Sequence, residues 1–210
     1  APKAALHYLP GDGPSVGGPL TAHPDIKGVV FTGSTEVAQI IKKSLVAAGK
    51  HDAALIAETG GINAMIVDST ALPEQVVDDV ITSAFRSAGQ RCSALRVLFV
   101  QSDVADGIIE LLAGAMKELV VGDPHKLSTD VGPVIDQAAH DRISAHLMHL
   151  KETATFIAKS PSADPKLNGY FVEPQAWEIS SFSALHEEVF GPILHIVRYH
   201  SEELDMIIED

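Results

Sequence analysis

The sequence predicts an α/β protein with a mostly parallel sheet. Short apolar runs alternate with helical patterns of roughly 10–15 residues, which is typical of βαβ units. Two of the runs, Gly28–Thr32 and Leu95–Val100, are almost continuously apolar, as expected for parallel strands buried on both faces. Hydrophobic residues make up 46% of the 210 residues, so the chain can build a sizeable core.

Local signals place the individual elements. After the first of these strands Gly33 turns the chain, and Ser34 can cap a helix whose apolar face is Val37, Ile40, Ile41 and Leu45. Pro73 at the start and Gly89 after the end frame another helix. Apolar runs predict further strands at Ala5–Leu9, Ala53–Ala57, Ala64–Asp68, Thr155–Ala158, Tyr170–Val172 and Ile193–Arg198. Helical spacing predicts helices at Pro73–Ala88, Asp103–Leu119 and Asp136–Leu150, and a further helix begins within the last ten residues.

Composition excludes several classes of function. The formal charge of −13 argues against binding nucleic acid or an anionic lipid surface. No apolar run reaches the ~18 residues of a membrane helix, and no signal peptide is visible, so we expect a cytoplasmic protein. The single cysteine excludes an internal disulfide, and the histidines on the Asp136–Leu150 helix lack acidic or thiol company, so we expect no metal site.

Cys92 is the first candidate for chemistry. It lies in the loop SAGQRCSALRV between a helix and a strand, where a rigid frame can hold a reactive group exposed. Arg86, Arg91 and Arg96 are close in sequence, and a cationic setting favours the reactive thiolate form. The alternative, a buried and inert cysteine, is common for this residue type and stays open on these residues alone.

Glu58 is the second candidate. It ends an apolar run and precedes Thr59-Gly60-Gly61, where the absence of glycine side chains leaves room for a general base to reach a water. A solvated loop glutamate explains the same pattern. The Gly60-Gly61 pair also separates two predicted strands and indicates a domain boundary.

Two further motifs are weaker. Phe31–Ser34 (FTGS) joins a strand to a helix N-terminus, a junction suited to a phosphate, although many such turns bind nothing. His186–Leu194 (HEEVFGPIL) combines two glutamates, an aromatic residue and a Gly-Pro turn before a strand, which is equally compatible with an ordinary loop.

Together, FTGS, ETGG, GQRC and EEVFGP occur in the order and register seen in the aldehyde dehydrogenase superfamily. The longer segments FTGSTEVA, LIAETGGINAMIVD, SAFRSAGQRCSALRVL and EEVFGPILHIVRY resemble the aldehyde dehydrogenase domain of the bifunctional proline utilization A family. The resemblance covers the whole chain. It implies an aldehyde dehydrogenase-like fold and NAD-dependent oxidation of glutamate γ-semialdehyde, the open form of pyrroline-5-carboxylate, through a cysteine thioester.

The resemblance also implies roles for individual residues. Cys92 would be the nucleophile and Glu58 the general base. Gly33 and Ser34 would lie at the pyrophosphate of NAD, Glu188 at the nicotinamide ribose and Phe190 at the nicotinamide. Ser93 would help to hold the α-carboxylate of the substrate.

The same resemblance implies a central fragment of a longer enzyme. Residues 1–61 would be the C-terminal part of the NAD-binding domain, and residues 62–210 a catalytic domain truncated at its C-terminal end. The parent would be a homo-oligomer with an additional FAD-dependent proline dehydrogenase domain, and we expect the isolated chain to be inactive. A folded module without turnover, or another enzyme such as a succinate semialdehyde dehydrogenase, are the alternatives.

Overall fold

The computed structural model describes residue 2 and residues 5–209, and the chain divides into two compact units, Ala1–Gly60 and Gly61–Asp210. The division falls within the glycine pair at which the sequence indicates a boundary. The assignment of the first unit to cofactor binding and of the second to catalysis stays a prediction. No helix in the described part of the chain is both long and apolar enough to cross a membrane.

The first unit contains a two-stranded parallel sheet and its connecting helix. The helices are α1 (Gly18–Ala22) and α2 (Thr35–Ala47), and the strands are β1 (Gly28–Thr32) and β2 (Ala54–Glu58). The strands pair in parallel, from Gly28 opposite Ala54 to Thr32 opposite Glu58. Ser34 caps α2 as predicted, because its Oγ accepts a hydrogen bond from the Val37 N–H at 3.3 Å.

Two expectations for the first unit are wrong. Residues 5–9 form no strand, and the side chains of Leu6 and Tyr8 are each 88% exposed, so the apolar run is not packed into a sheet. Burial of β1 on both faces also fails, since Val30 is 78% exposed on a sheet of two strands. The predicted apolar face of α2 is only partly covered: Leu45 is buried, whereas Ile40 is 64% exposed.

The second unit is built on a five-stranded sheet with the order β3-β4-β7-β6-β5. Its strands are β3 (Ala64–Val67), β4 (Val97–Gln101), β5 (Thr155–Lys159), β6 (Gln175–Glu178) and β7 (Ile193–Tyr199). Its helices are α3 (Pro73–Phe85), α4 (Ser102–Glu118), α5 (Gln137–Thr153) and α6 (Leu204–Glu209). All neighbouring strands are parallel except β5 and β6. The predicted α/β class with a mostly parallel sheet is therefore confirmed.

One strand of this unit is misplaced in the prediction. Tyr170–Val172 is not a strand; the Tyr170 carbonyl accepts a single hydrogen bond from the Val134 N–H at 2.8 Å in an isolated bridge. The strand begins five residues further on, at Gln175–Glu178, and pairs with both β5 and β7. Its four residues, QAWE, are too few to show the alternation of apolar and polar side chains that identifies a strand in a sequence.

The core surrounds the two central strands. Every residue of β4 is buried, and so is every residue of β7 except Arg198. The buried faces of α3 and α4 cover the sheet with Val80, Leu112 and Met116, each completely inaccessible to solvent. Because β4 and β7 are packed on all sides, the residues at which their loops begin and end are held in place.

One histidine lies in this core, His195, and it is hydrogen-bonded to the half-buried His146 of α5. His195 of β7 is 1% exposed, and its Nδ1 lies 3.0 Å from the Arg96 carbonyl, which can only accept a hydrogen bond. His195 therefore carries its proton on Nδ1, and its Nε2 accepts from the Nε2–H of His146 at 2.8 Å. Burial lowers the pKa of His195 to about 4, and the charges of His146 and Arg96 act in the same direction.

Stability should fall in mild acid because of His195. Its pKa drops from the ordinary 6.5 to about 4 on folding, so between these values the unfolded chain binds more protons. The contribution of His195 to the free energy of unfolding should be complete above about pH 6.5 and should be lost as the pH falls to about 4. The loss should reach about 3 kcal/mol, at about 1.4 kcal/mol per pKa unit.

Urea denaturation between pH 4 and pH 7 measures this slope. The variant His195→Gln should flatten it, whereas His149→Gln, which removes an exposed imidazole from the same region, should preserve it. An unchanged slope in His195→Gln would show that other groups cause the acid sensitivity.

Candidate active site

Cys92 sits on a tightly wound turn between α3 and β4. The α3 helix ends at Phe85, and a single 3₁₀ turn covers Arg86–Gly89. Within it Ser87 and Ala88 have left-handed φ values of 57° and 52°, a conformation that costs roughly 1–3 kcal/mol for a residue with a Cβ. The turn delivers Cys92 to the surface as an exposed free thiol, so the alternative of a buried cysteine is wrong, whereas its reactivity stays a prediction.

Gly89 makes this turn possible. Its φ is 65°, and a Cβ at this position would lie 2.1 Å from the Gly191 carbonyl oxygen. Only glycine satisfies both the left-handed backbone and the close approach of the second chain segment. The turn before the cysteine is thus built against the Gly-Pro turn before β7.

Asn63, immediately before β3, holds the cysteine loop from one side. Its Nδ2 donates to the carbonyls of Cys92 at 2.7 Å and Ala94 at 2.9 Å. Its own carbonyl accepts from the N–H groups of Arg96 and Val97. Asn63 belongs to none of the predicted site motifs, and its place just after the ETGG motif is the one local signal for its role.

Gln90 fixes the loop from another side. Its Oε1 accepts from the Ile135 N–H at 2.8 Å, and its Nε2 lies 3.3 Å from the Pro133 carbonyl. Neither bond involves Cys92, whose N–H makes no hydrogen bond within the described residues. That N–H is therefore able to donate to a bound molecule beside the thiol.

Arg96 joins the cysteine loop to the motif before β7. This side chain is 1% exposed, and its Nε and Nη2 both donate to Oε1 of Glu188, at 3.1 Å and 2.7 Å. The remaining donors reach the carbonyls of Gly89, Gly191 and Arg91 at 2.7, 3.2 and 3.2 Å. Because its charge is paired with Glu188, Arg96 acts near Cys92 by fixing the backbone of the cysteine loop.

Glu188 and Phe190 present their remaining surface outward. Both bonds from Arg96 end on Oε1 of Glu188, and no donor in the described chain reaches its Oε2. Phe190 packs its ring 5.2 Å from the Arg96 guanidinium and remains 45% exposed.

Ser93, next to the cysteine, is exposed and forms no hydrogen bond with the described residues. Cys92, Ser93, Glu188 and Phe190 thus belong to one connected set of loops in the second unit.

The other three predicted residues lie together in the first unit, at the carboxyl end of its sheet. The Gly33 N–H donates to the Glu58 carbonyl at 3.1 Å, and Ser34 follows as the cap of α2. A Cβ on Gly33 would lie 2.4 Å from the end of the Phe31 ring. The Glu58 side chain is exposed at the last position of β2.

Comparison with known proteins agrees with these motifs. A model of the aldehyde dehydrogenase family matches residues 1–208. The Bifunctional protein PutA of Escherichia coli (strain K12) is 49% identical over 218 residues, covering 99% of this chain and 16% of that relative. The 1-pyrroline-5-carboxylate dehydrogenase of Geobacillus sp. (strain WCH70) is 33% identical over 215 residues, covering 99% of this chain and 41% of that relative.

Solved structures give the same result for the fold. A crystal structure of a Bradyrhizobium japonicum proline utilization A (PutA) mutant superimposes with a TM-score of 0.93 at 57% identity, over 100% of this chain and 21% of that one. PutA from Bdellovibrio bacteriovorus gives a TM-score of 0.88 at 29% identity, over 96% and 21%. The chain therefore spans only a small part of the proteins it matches.

Substitution of Gly89 tests the close approach of the two turns. Gly89→Ala places a methyl group against the Gly191 carbonyl in a left-handed conformation, so unfolding should become easier by about 2–4 kcal/mol. The matched change Gly107→Ala, on an open face of α4, should instead stabilise by about 0.5–1 kcal/mol. Equal urea midpoints for the two variants would contradict the packing described here.

Proposed function

The chain belongs to the aldehyde dehydrogenase family, and from that membership we propose that it supplies the nucleophile of a glutamate γ-semialdehyde dehydrogenase. The parent would be a bifunctional enzyme of proline catabolism, as the names of its relatives suggest. The observation that carries the proposal is the exposed Cys92 on a loop held by Asn63 and Arg96, with an N–H that meets no acceptor in the described part of the chain. Activity experiments below refer to the full-length enzyme, in the numbering of this chain.

The chemistry starts at Cys92. Its thiolate adds to the aldehyde carbon, because an aldehyde must become tetrahedral before hydride can leave. The negative charge moves to the former carbonyl oxygen, where the free Cys92 N–H can donate to it. Loss of hydride leaves a thioester on the sulfur. Ser93, exposed beside the nucleophile, would hold the α-carboxylate of the substrate.

Glu58 would complete the cycle as general base. It would take a proton from water, the resulting hydroxide would add to the thioester carbon, and glutamate would leave as the thiolate is restored. The exposed carboxylate at the end of β2, followed by the two glycines, supports this role. The role itself comes from the family resemblance.

The family resemblance assigns residues of each unit to a dinucleotide cofactor. NAD⁺ supplies the hydride acceptor when bound. Glu188 would accept from the nicotinamide ribose through its Oε2, which no protein donor reaches among the described residues. Phe190 offers an exposed ring face to the nicotinamide, and Gly33 and Ser34 would receive the pyrophosphate at the start of α2.

The wider setting follows from the same proposal. The parent would carry FAD in a proline dehydrogenase domain, form a homo-oligomer and work in the cytoplasm. The single, unpaired Cys92 supports a reducing compartment, and the charge of −13 speaks against nucleic acid as a partner of this segment.

Alkylation tests the nucleophile. If Cys92 acts as proposed, iodoacetamide should modify it at pH 7 faster than a model thiol, as followed by mass spectrometry of its peptide. Cys92→Ser should abolish dehydrogenase turnover, because a serine hydroxyl is hardly ionised at neutral pH. Sustained turnover in Cys92→Ser would overturn the assignment.

A burst experiment tests the base. In Glu58→Gln the first equivalent of NADH should still form, while steady turnover should fall by roughly 10²–10⁴, because only deacylation needs the carboxylate. The exposed Glu74→Gln, in the first turn of α3, serves as the control and should turn over normally. If the burst disappears together with turnover, Glu58 acts before hydride transfer.

A further inference from the structure

Arg96 uses every N–H bond of its guanidinium within the folded second unit. Of its five N–H groups, two donate to Glu188, and one each to the carbonyls of Gly89, Gly191 and Arg91. We infer that Arg96 is a positioning residue that locks the cysteine turn and the cofactor-facing Glu188 into one arrangement, so that thiol reactivity and cofactor affinity depend on the same side chain. This inference rests on the proposed function.

The geometry requires a guanidinium. The acceptors lie in two chain segments: Gly89 and Arg91 precede the cysteine, whereas Glu188 and Gly191 precede β7. An ammonium group has only three donors and no planar fork, so a lysine leaves at least one of the four acceptor atoms unpaired. Loss of either carbonyl before Cys92 frees the turn whose Ser87 and Ala88 are already strained.

The backbone of Arg96 is also fixed, by hydrogen bonds to Asn63 and His195. Its N–H donates to the Asn63 carbonyl at 2.9 Å, and its carbonyl accepts from both the N–H and the Nδ1 of His195, at 2.9 and 3.0 Å. The ring of Phe190 covers the guanidinium. Because backbone and side chain are both fixed, a displacement of Glu188 is transmitted to the turn that carries Cys92.

The inference explains how Glu188 is set for its ligand. With Oε1 held at 2.7 Å from Nη2, the carboxylate cannot rotate freely, and Oε2 keeps one direction for a hydroxyl donor. Preorganisation of this kind raises affinity because the ordering has already occurred in the free protein. The same guanidinium orders Gly89 and Arg91 on the nucleophile side.

The first test is Arg96→Lys in the full-length enzyme. NAD⁺ affinity, measured by calorimetry, should weaken by about 10-fold, and alkylation of Cys92 in the absence of cofactor should slow by about 3–10-fold, towards the rate of a model thiol. Turnover should fall together with both. Arg198→Lys is the matched control, because Arg198, on β7, also pairs with carboxylates, those of Asp106 and Glu178, and both lie outside the two loops. This variant should change neither quantity.

The second test leaves Arg96 in place and keeps the inference testable if Arg96→Lys does not fold. Glu188→Gln removes the charge but retains an oxygen for Arg96, whereas Glu188→Ala removes both. Both variants should weaken NAD⁺ binding. Only Glu188→Ala should slow alkylation of Cys92, by about 3-fold or more, because only there does the guanidinium lose its anchor.

The outcomes separate the two proposals. An unsubstituted enzyme that neither binds NAD⁺ nor oxidises glutamate γ-semialdehyde refutes the proposed function. An active unsubstituted enzyme refutes the positioning role if folded Arg96→Lys keeps both its NAD⁺ affinity and its alkylation rate. Where Arg96→Lys does not fold, equal alkylation rates in Glu188→Gln and Glu188→Ala refute it.

Discussion

The buried charge of Arg96 is the constraint on which the candidate site depends. Removing an unpaired guanidinium from water costs several kcal/mol, so the fold must surround it with acceptors. Glu188 and three backbone carbonyls fulfil this requirement, and they come from two loops that lie about 100 residues apart in sequence. The fold can satisfy this charge only when the cysteine turn and the loop before β7 are both in place.

The need to pair this buried charge explains why glycines occupy positions 89 and 191 in the two loops. Two carbonyls can converge on the same Nη1 only if their backbones nearly touch, which explains why Gly89 and Gly191 stand where they do. At Gly191 a Cβ would lie 2.4 Å from the Ile143 side chain of α5, so this loop is also seated against the helix layer. The left-handed residues Ser87 and Ala88 persist because these contacts over-determine the turn.

Sequence reasoning succeeded where the determinants are local. The cap formed by Ser34, the proline start of α3 and the apolar runs of β4 and β7 each depend on neighbours within a few residues. It failed where the partner is distant. The run Ala5–Leu9 resembles a strand in sequence but is not one in the structure, whereas the short β6 is a strand because β5 and β7 flank it.

The site shows the same limit. The exposed thiol of Cys92 agrees with its loop position, and FTGS does form a capped helix start. The roles of Asn63 and Arg96 were invisible, because their hydrogen bonds connect residues about 30 and 90 positions apart and no periodicity encodes them. A neighbouring arginine suggested an activating charge for the cysteine, whereas the structure assigns that charge to Glu188.

Amide hydrogen exchange tests most directly whether one guanidinium holds both loops. The amides of Gln90, Ala94 and Gly191 are each hydrogen-bonded within these turns, so their protection reports the two segments separately. In Arg96→Lys, all three should exchange faster than in the unsubstituted protein, while the amides of β4 and β7 keep their protection. Faster exchange at Gly191 alone, or unchanged exchange at all three, would contradict the account.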